Sequence, residues 1–107
     1  MLTGSPATNS IWGSSSPDRI FAKGSSDTLY GGGGADKLWG ASADDTLVGD
    51  TPTASSKADT LRGESGDDTL DSRDGIEGND TVDGGEHLSG DSCLTDATEL
   101  SIENCER

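Results

Sequence analysis

The sequence predicts an all-β fold, a parallel β-roll (β-solenoid) of about nine half-coils closed by a C-terminal cap. Three observations carry that prediction. A nine-residue unit, Gly-Gly-x-Gly-x-Asp-x-Leu-x, recurs along the chain, with its cleanest copy at Gly31-Gly32-Gly33-Gly34-Ala35-Asp36-Lys37-Leu38-Trp39. Asp holds the sixth place eight times, and an aliphatic residue or a cysteine holds the eighth place of every copy. Self-similarity at a short fixed period marks a solenoid, in which each repeat buries its apolar side chain only by stacking on its neighbours.

The units follow in order. Regular nonapeptides run 4–12, 13–21, 22–30, 31–39 and 40–48; a longer copy spans 49–62, 63–71 is regular, and 72–83 and 84–94 are slightly long. Their sixth places are Asn9, Asp18, Asp27, Asp36, Asp45, Asp59, Asp68, Asp80 and Asp91. Their eighth places are Ile11, Ile20, Leu29, Leu38, Leu47, Leu61, Leu70, Val82 and Cys93. The short x-Leu-x stretch reads as a strand, which turns its middle side chain inward and its two neighbours outward.

The loops carry the chemistry. Glycines at the first, second and fourth places, such as Gly32, Gly34, Gly66 and Gly78, permit positive φ and bare backbone carbonyls. The sixth-place carboxylate enters the same concavity. Donors made only of oxygen suit a hard cation with six to eight ligands, which favours Ca²⁺ over Zn²⁺ or Cu²⁺.

Here the chain resembles the repeats-in-toxin (haemolysin-type calcium-binding) family over nearly its whole length. The resemblance implies a right-handed roll in which each nonapeptide is half a coil, with several Ca²⁺ ions bound between loops one full coil apart. One edge would stack Asn9, Asp27, Asp45, Asp68 and Asp91; the other would stack Asp18, Asp36, Asp59 and Asp80. The implied ligands are those aspartates with the carbonyls of Gly32, Gly34, Gly66 and Gly78. Asp74 is a candidate extra ligand. The first loops depart from the pattern: Asn9 replaces Asp, and Ser5-Pro6-Ala7-Thr8 and Ser14-Ser15-Ser16-Pro17 replace the glycines. Ala41-Ser42-Ala43 is also poor in glycine. Such residues resist left-handed backbone, so the expectation is weak or empty N-terminal sites and best occupancy around Asp36, Asp45, Asp59, Asp68 and Asp80.

Composition fits this reading. Twenty-one acidic against seven basic residues give a net charge of −14, and only 28% of residues are hydrophobic. A balance of this kind commonly signals disorder, and stacked carboxylates need a counter-ion to fold together. Metal binding and folding are therefore expected as one event. The negative charge disfavours nucleic acid and anionic lipid as partners. No apolar stretch is long enough for membrane insertion.

The remaining features are read in turn. Residues 1–94 form the roll and 95–107 the capping segment of a single domain. The stretch from Arg73 to Glu106 resembles the closing unit of secreted actinobacterial-type members, which implies a Cys93–Cys105 disulfide worth roughly 3 kcal/mol and an extracellular setting; two free thiols or a soft-metal site are the alternatives. Leu2 lies in the inward register of a preceding unit, and the uncapped N-terminus reads as a fragment of a larger secreted protein. All four aromatics, Trp12, Phe21, Tyr30 and Trp39, fall at the outward ninth place. They are read either as cross-strand packing or as an interface for a polysaccharide, an upstream domain or a second copy. Ser10, Thr28, Thr46, Thr69 and Ser92 form a seventh-place hydroxyl ladder explained by strand propensity. The insertion 51–57 is an exposed loop, and His87 a solvent-facing loop residue.

No catalytic constellation is visible, so the chain is not read as an enzyme. Three functions follow from the reading: a calcium-dependent structural module of a secreted protein, an aromatic binding module, or the C-terminal repeat region of an exported enzyme or toxin.

Overall fold

The computed structural model describes residues 2–14, 16–49, 59–72, 81–85, 92–94 and 101–103. The strands in chain order are β1 (Leu2–Thr3), β2 (Ser10–Trp12), β3 (Arg19–Phe21), β4 (Thr28–Tyr30), β5 (Lys37–Ser42) and β6 (Thr46–Val48), then β7 (Thr60–Ser65), β8 (Thr69–Asp71), β9 (Thr81–Asp83), β10 (Ser92–Leu94) and β11 (Ser101–Glu103). Odd-numbered strands form one sheet in the order β1-β3-β5-β7-β9-β11, and even-numbered strands form the other as β10-β8-β6-β4-β2. Every pairing is parallel. Successive strands therefore alternate between two sheets, which is the parallel β-roll the repeat predicts.

The register follows the nonapeptide. Leu29 stands opposite Ile11 and Leu47, and Leu38 opposite Ile20 and Leu61. A one-residue slip would turn these side chains to solvent, so burial fixes the pairing. Ile20, Leu29, Leu38, Leu47, Leu61, Leu70 and Val82 are wholly buried, while Ile11 and Cys93 are half-buried against that core. Each buried aliphatic contributes about 1.5–3 kcal/mol.

Strand alternation also sends the first place of the next unit inward. Ala22 occupies that place and is wholly buried, as is Ser72.

The roll extends past the nine units at both ends. Leu2 pairs with Ile20 and packs on the core, as its inward register predicts. β11, within the segment expected to cap the roll, joins β9 with Ile102 opposite Val82. The insertion 51–57, Asp74 and His87 lie outside the described residues.

On the outer faces the ninth-place aromatics stack in pairs. Trp12 and Tyr30 lie 5.2 Å apart on the five-stranded sheet, and Phe21 and Trp39 lie 4.4 Å apart on the six-stranded sheet, both nearly parallel. These contacts bridge adjacent coils and support cross-strand packing. Trp12 nevertheless stays 64% exposed.

Candidate metal centre

The sixth-place residues form two ladders, one on each edge of the roll. On the first, Asn9 N–H donates to Asp27 Oδ1 (2.6 Å), Asp27 N–H to Asp45 Oδ1 (2.7 Å), and Asp45 N–H to Asp68 Oδ1 (2.7 Å). On the second, Asp18 N–H donates to Asp36 Oδ1 (2.7 Å) and Asp36 N–H to Asp59 Oδ1 (2.8 Å). These are the two edge stacks expected from the repeat. Each carboxylate reaches back one coil and holds the turn before it.

The second carboxylate oxygen behaves differently. The Oδ2 atoms of Asp27, Asp36, Asp45, Asp59 and Asp68 are all buried, and those of Asp27 and Asp45 accept no hydrogen bond. Leaving a buried charged acceptor without a partner is costly. A cation with loop-carbonyl ligands removes that cost.

The first-place glycine sits directly beneath this oxygen. A Cβ on Gly31, Gly40 or Gly49 would lie 2.5 Å from Oδ2 of Asp36, Asp45 or Asp59. Gly63 meets Asp68 in the same way. This corrects the expectation that the first-place glycine supplies positive φ: these residues leave room, and the left-handed backbone lies at the second and fourth places.

In the described loops from Ala22 onward, positive φ occurs there with or without glycine. Gly32 (98°), Gly34 (94°) and Gly66 (126°) adopt it, but so do Lys23 (85°), Ser25 (71°), Ala41 (85°), Ala43 (83°) and Glu64 (76°). The glycine-poor Ala41-Ser42-Ala43 loop thus takes the conformation it was expected to resist, at a cost of roughly 1–2 kcal/mol per residue. Stacking explains why. Ala41 and Ser42 pair with Glu64 and Ser65, and Ser65 Oγ donates to the Ala41 carbonyl (3.0 Å).

Asp45 shows the electrostatics. Burial pushes its carboxyl from the ordinary 3.8 up to about 7, opposed by the Asp27 N–H and reinforced by the charges of Asp68, Asp27 and Asp44. Among the described residues no three His, Cys, Asp or Glu side chains converge on one point. The available donors are therefore single carboxylates with backbone carbonyls, an all-oxygen set that fits a hard cation.

A scan of protein-family models matches the RTX calcium-binding nonapeptide repeat, in four copies, over residues 3–38, 12–47 and 49–76. These matches cover more than half of the chain. The chain belongs to this family. RTX nonapeptide repeats bind Ca²⁺, several ions per repeat region, and act as structural units. Comparison with the curated proteins and with the solved structures gave no match.

Of the residues expected to ligate, the RTX roll places Asp27, Asp45 and Asp68 on one edge, and Asp18, Asp36 and Asp59 on the other. Gly32, Gly34 and Gly66 lie in the adjoining loops, whereas Asp80, Asp91 and Gly78 lie outside the described residues. Sequence reasoning missed one rung: Asp67 N–H donates to Asp44 Oδ1 (2.9 Å). Its signal was present, since both hold the fifth place one coil apart. Cys93 carries no free thiol, and Cys105 lies outside the described residues.

Proposed function

We propose that the chain is an extracellular calcium-dependent folding module that stiffens or displays a larger secreted protein and performs no catalysis. The observation that supports this most is the pair of buried, unpartnered Oδ2 atoms of Asp27 and Asp45. The ligands are the carboxylates of Asp27, Asp36, Asp45, Asp59 and Asp68 with nearby loop carbonyls, including those of Gly32, Gly34 and Gly66. Folding then follows the cation, because the units are too poor in apolar surface to order themselves alone. A Cys93–Cys105 disulfide closes the C-terminal end.

Far-UV circular dichroism under Ca²⁺ titration, reversed by a chelator, tests the reading. A cooperative coil-to-β transition near ~10⁻⁴–10⁻³ M, the range of extracellular modules, is expected. Unchanged β structure in the chelator would sink metal-coupled folding.

A second reading rests on the outer face of the six-stranded sheet. Trp39 borders an open cleft of about 510 Å³ shared with Ser42, Arg62, Glu64, Ser65 and Asp83. A ring face beside hydroxyl, guanidinium and carboxylate groups suits a sugar. Retention on insoluble cellulose or chitin, lost in Trp39→Ala with the Ca²⁺-induced fold intact, is the expected result; equal retention of the variant removes this reading.

A further inference from the structure

The first coil of the roll differs from the rest in where its polar atoms find partners. In the loop before Asn9, the side-chain Nδ2 donates to the carbonyls of Ser5 (3.3 Å) and Ala7 (2.6 Å) and to Ser5 Oγ (3.2 Å). A Cβ built on Gly4 would lie 3.2 Å from this nitrogen. Nδ2 therefore occupies the place above the first-place glycine that Oδ2 takes in the Asp loops. The carbonyl between them is also engaged, since Ser25 Oγ donates to Pro6 O (2.5 Å).

The companion loop of this coil is closed by other donors. Ser14 N–H and Ser14 Oγ donate to Asp18 Oδ2 at 2.7 and 3.1 Å, and Gly33 N–H takes the Ser14 carbonyl (2.9 Å). Backbone conformation agrees. Ser5, Ala7 and Ser14 are absent from the positive-φ residues, although the corresponding places in the next loops, Lys23, Ser25 and Gly32, all have it.

We infer that the first coil is a metal-free cap, in which the Asn9 amide and the Ser14 donors replace the cation that the later loops require. The physical contrast is one of sign. An Asp in this place puts negative oxygen against carbonyl dipoles and needs a positive charge between them; the Asn amide offers N–H donors to the same carbonyls. Asn9 in the place of Asp is thus a device and not a decayed ligand. The two aromatic stacks, which join the strands of this coil to the next, add apolar contact where no ion bridges the loops.

The inference rests on the calcium reading and is separable from it. Native mass spectrometry at saturating Ca²⁺, with the circular dichroism midpoint, is compared between the wild-type chain and Asn9→Asp. The variant is expected to bind one further ion, or to need roughly twofold more Ca²⁺ to fold. A wild-type chain that binds no Ca²⁺ would refute the calcium reading itself. Normal Ca²⁺ binding with an unchanged ion count and midpoint in Asn9→Asp would refute the cap alone. Should the variant not fold, hydrogen exchange of the Asn9 side-chain NH₂ in the Ca²⁺-loaded wild-type chain decides. Protection supports the amide lock, and exchange at the solvent rate overturns it.

Discussion

Asp45 Oδ1 accepts the backbone N–H of Asp27 at 2.7 Å, while its Oδ2 stays buried without a hydrogen bond. One carboxylate thus joins two coils and presents a negative atom that the protein leaves unsatisfied. This relationship couples the stacking of the roll to its need for a cation.

Asp45→Asn preserves an oxygen for the Asp27 N–H but removes the charge facing the loop. It is expected to raise the Ca²⁺ midpoint of folding and to lower the number of bound ions. Asp45→Ala also loses the hydrogen bond, a further cost of about 1.5–3 kcal/mol for a bond to a charged group. Calcium titrations of the two variants followed by circular dichroism separate these contributions; equal midpoints in both variants and wild type would argue against Asp45 as a ligand.

Acid should act in opposite directions with and without calcium. The Asp45 carboxyl is raised from 3.8 to about 7 in the metal-free fold. The fold therefore binds a proton that the unfolded chain has lost, so this stabilisation is fully present below about pH 4 and disappears as pH rises through 7. In chelator, β content should grow on acidification from pH 8 to pH 4. With calcium present, the proton competes with the ion, and the Ca²⁺ midpoint should climb across the same interval. Circular dichroism at several pH values checks both signs.

Glycine substitutions should divide by place. Gly66→Ala combines φ 126° with a Cβ driven into the Ala43 carbonyl, and a loss above about 2 kcal/mol is expected. Ala43→Gly relieves φ 83° and is expected to gain roughly 0.5–1 kcal/mol after the added freedom of the unfolded chain is counted. Thermal melts in saturating Ca²⁺ measure both. A destabilised Ala43→Gly would show that the left-handed backbone is not what costs energy there.

The Phe21–Trp39 stack should show as a coupling energy. Single alanine substitutions and the double variant, unfolded with denaturant at fixed Ca²⁺, are expected to give about 0.5–1.5 kcal/mol of non-additivity. Full additivity would mean that the 4.4 Å ring contact adds nothing beyond burial.

The sequence by itself determined the architecture and the two edges. A period of nine with an aliphatic at the eighth place marks a solenoid, and the resemblance to the repeats-in-toxin family implies that each unit is half a coil, which sets Leu29, Leu47 and Leu70 in one sheet and Ile20, Leu38 and Leu61 in the other. The sixth-place ladders, the aromatic pairs Trp12–Tyr30 and Phe21–Trp39, and the inward Leu2 follow from the same count. Only the tertiary structure decided what the loops do. Propensity argued against left-handed Ala41 and Ala43, yet pairing with the coil below outweighs a local cost of a few kcal/mol. The first-place glycine reads in sequence as a source of positive φ; in the roll it is a gap that keeps Oδ2 of Asp36, Asp45 and Asp59 clear of a side chain. Asn9 reads as a lost ligand until its amide is seen against the carbonyls of Ser5 and Ala7. Each of these depends on atoms brought together by the loop or coil geometry, and a linear pattern records which residues recur, not which polar atoms face one another after the chain has wound.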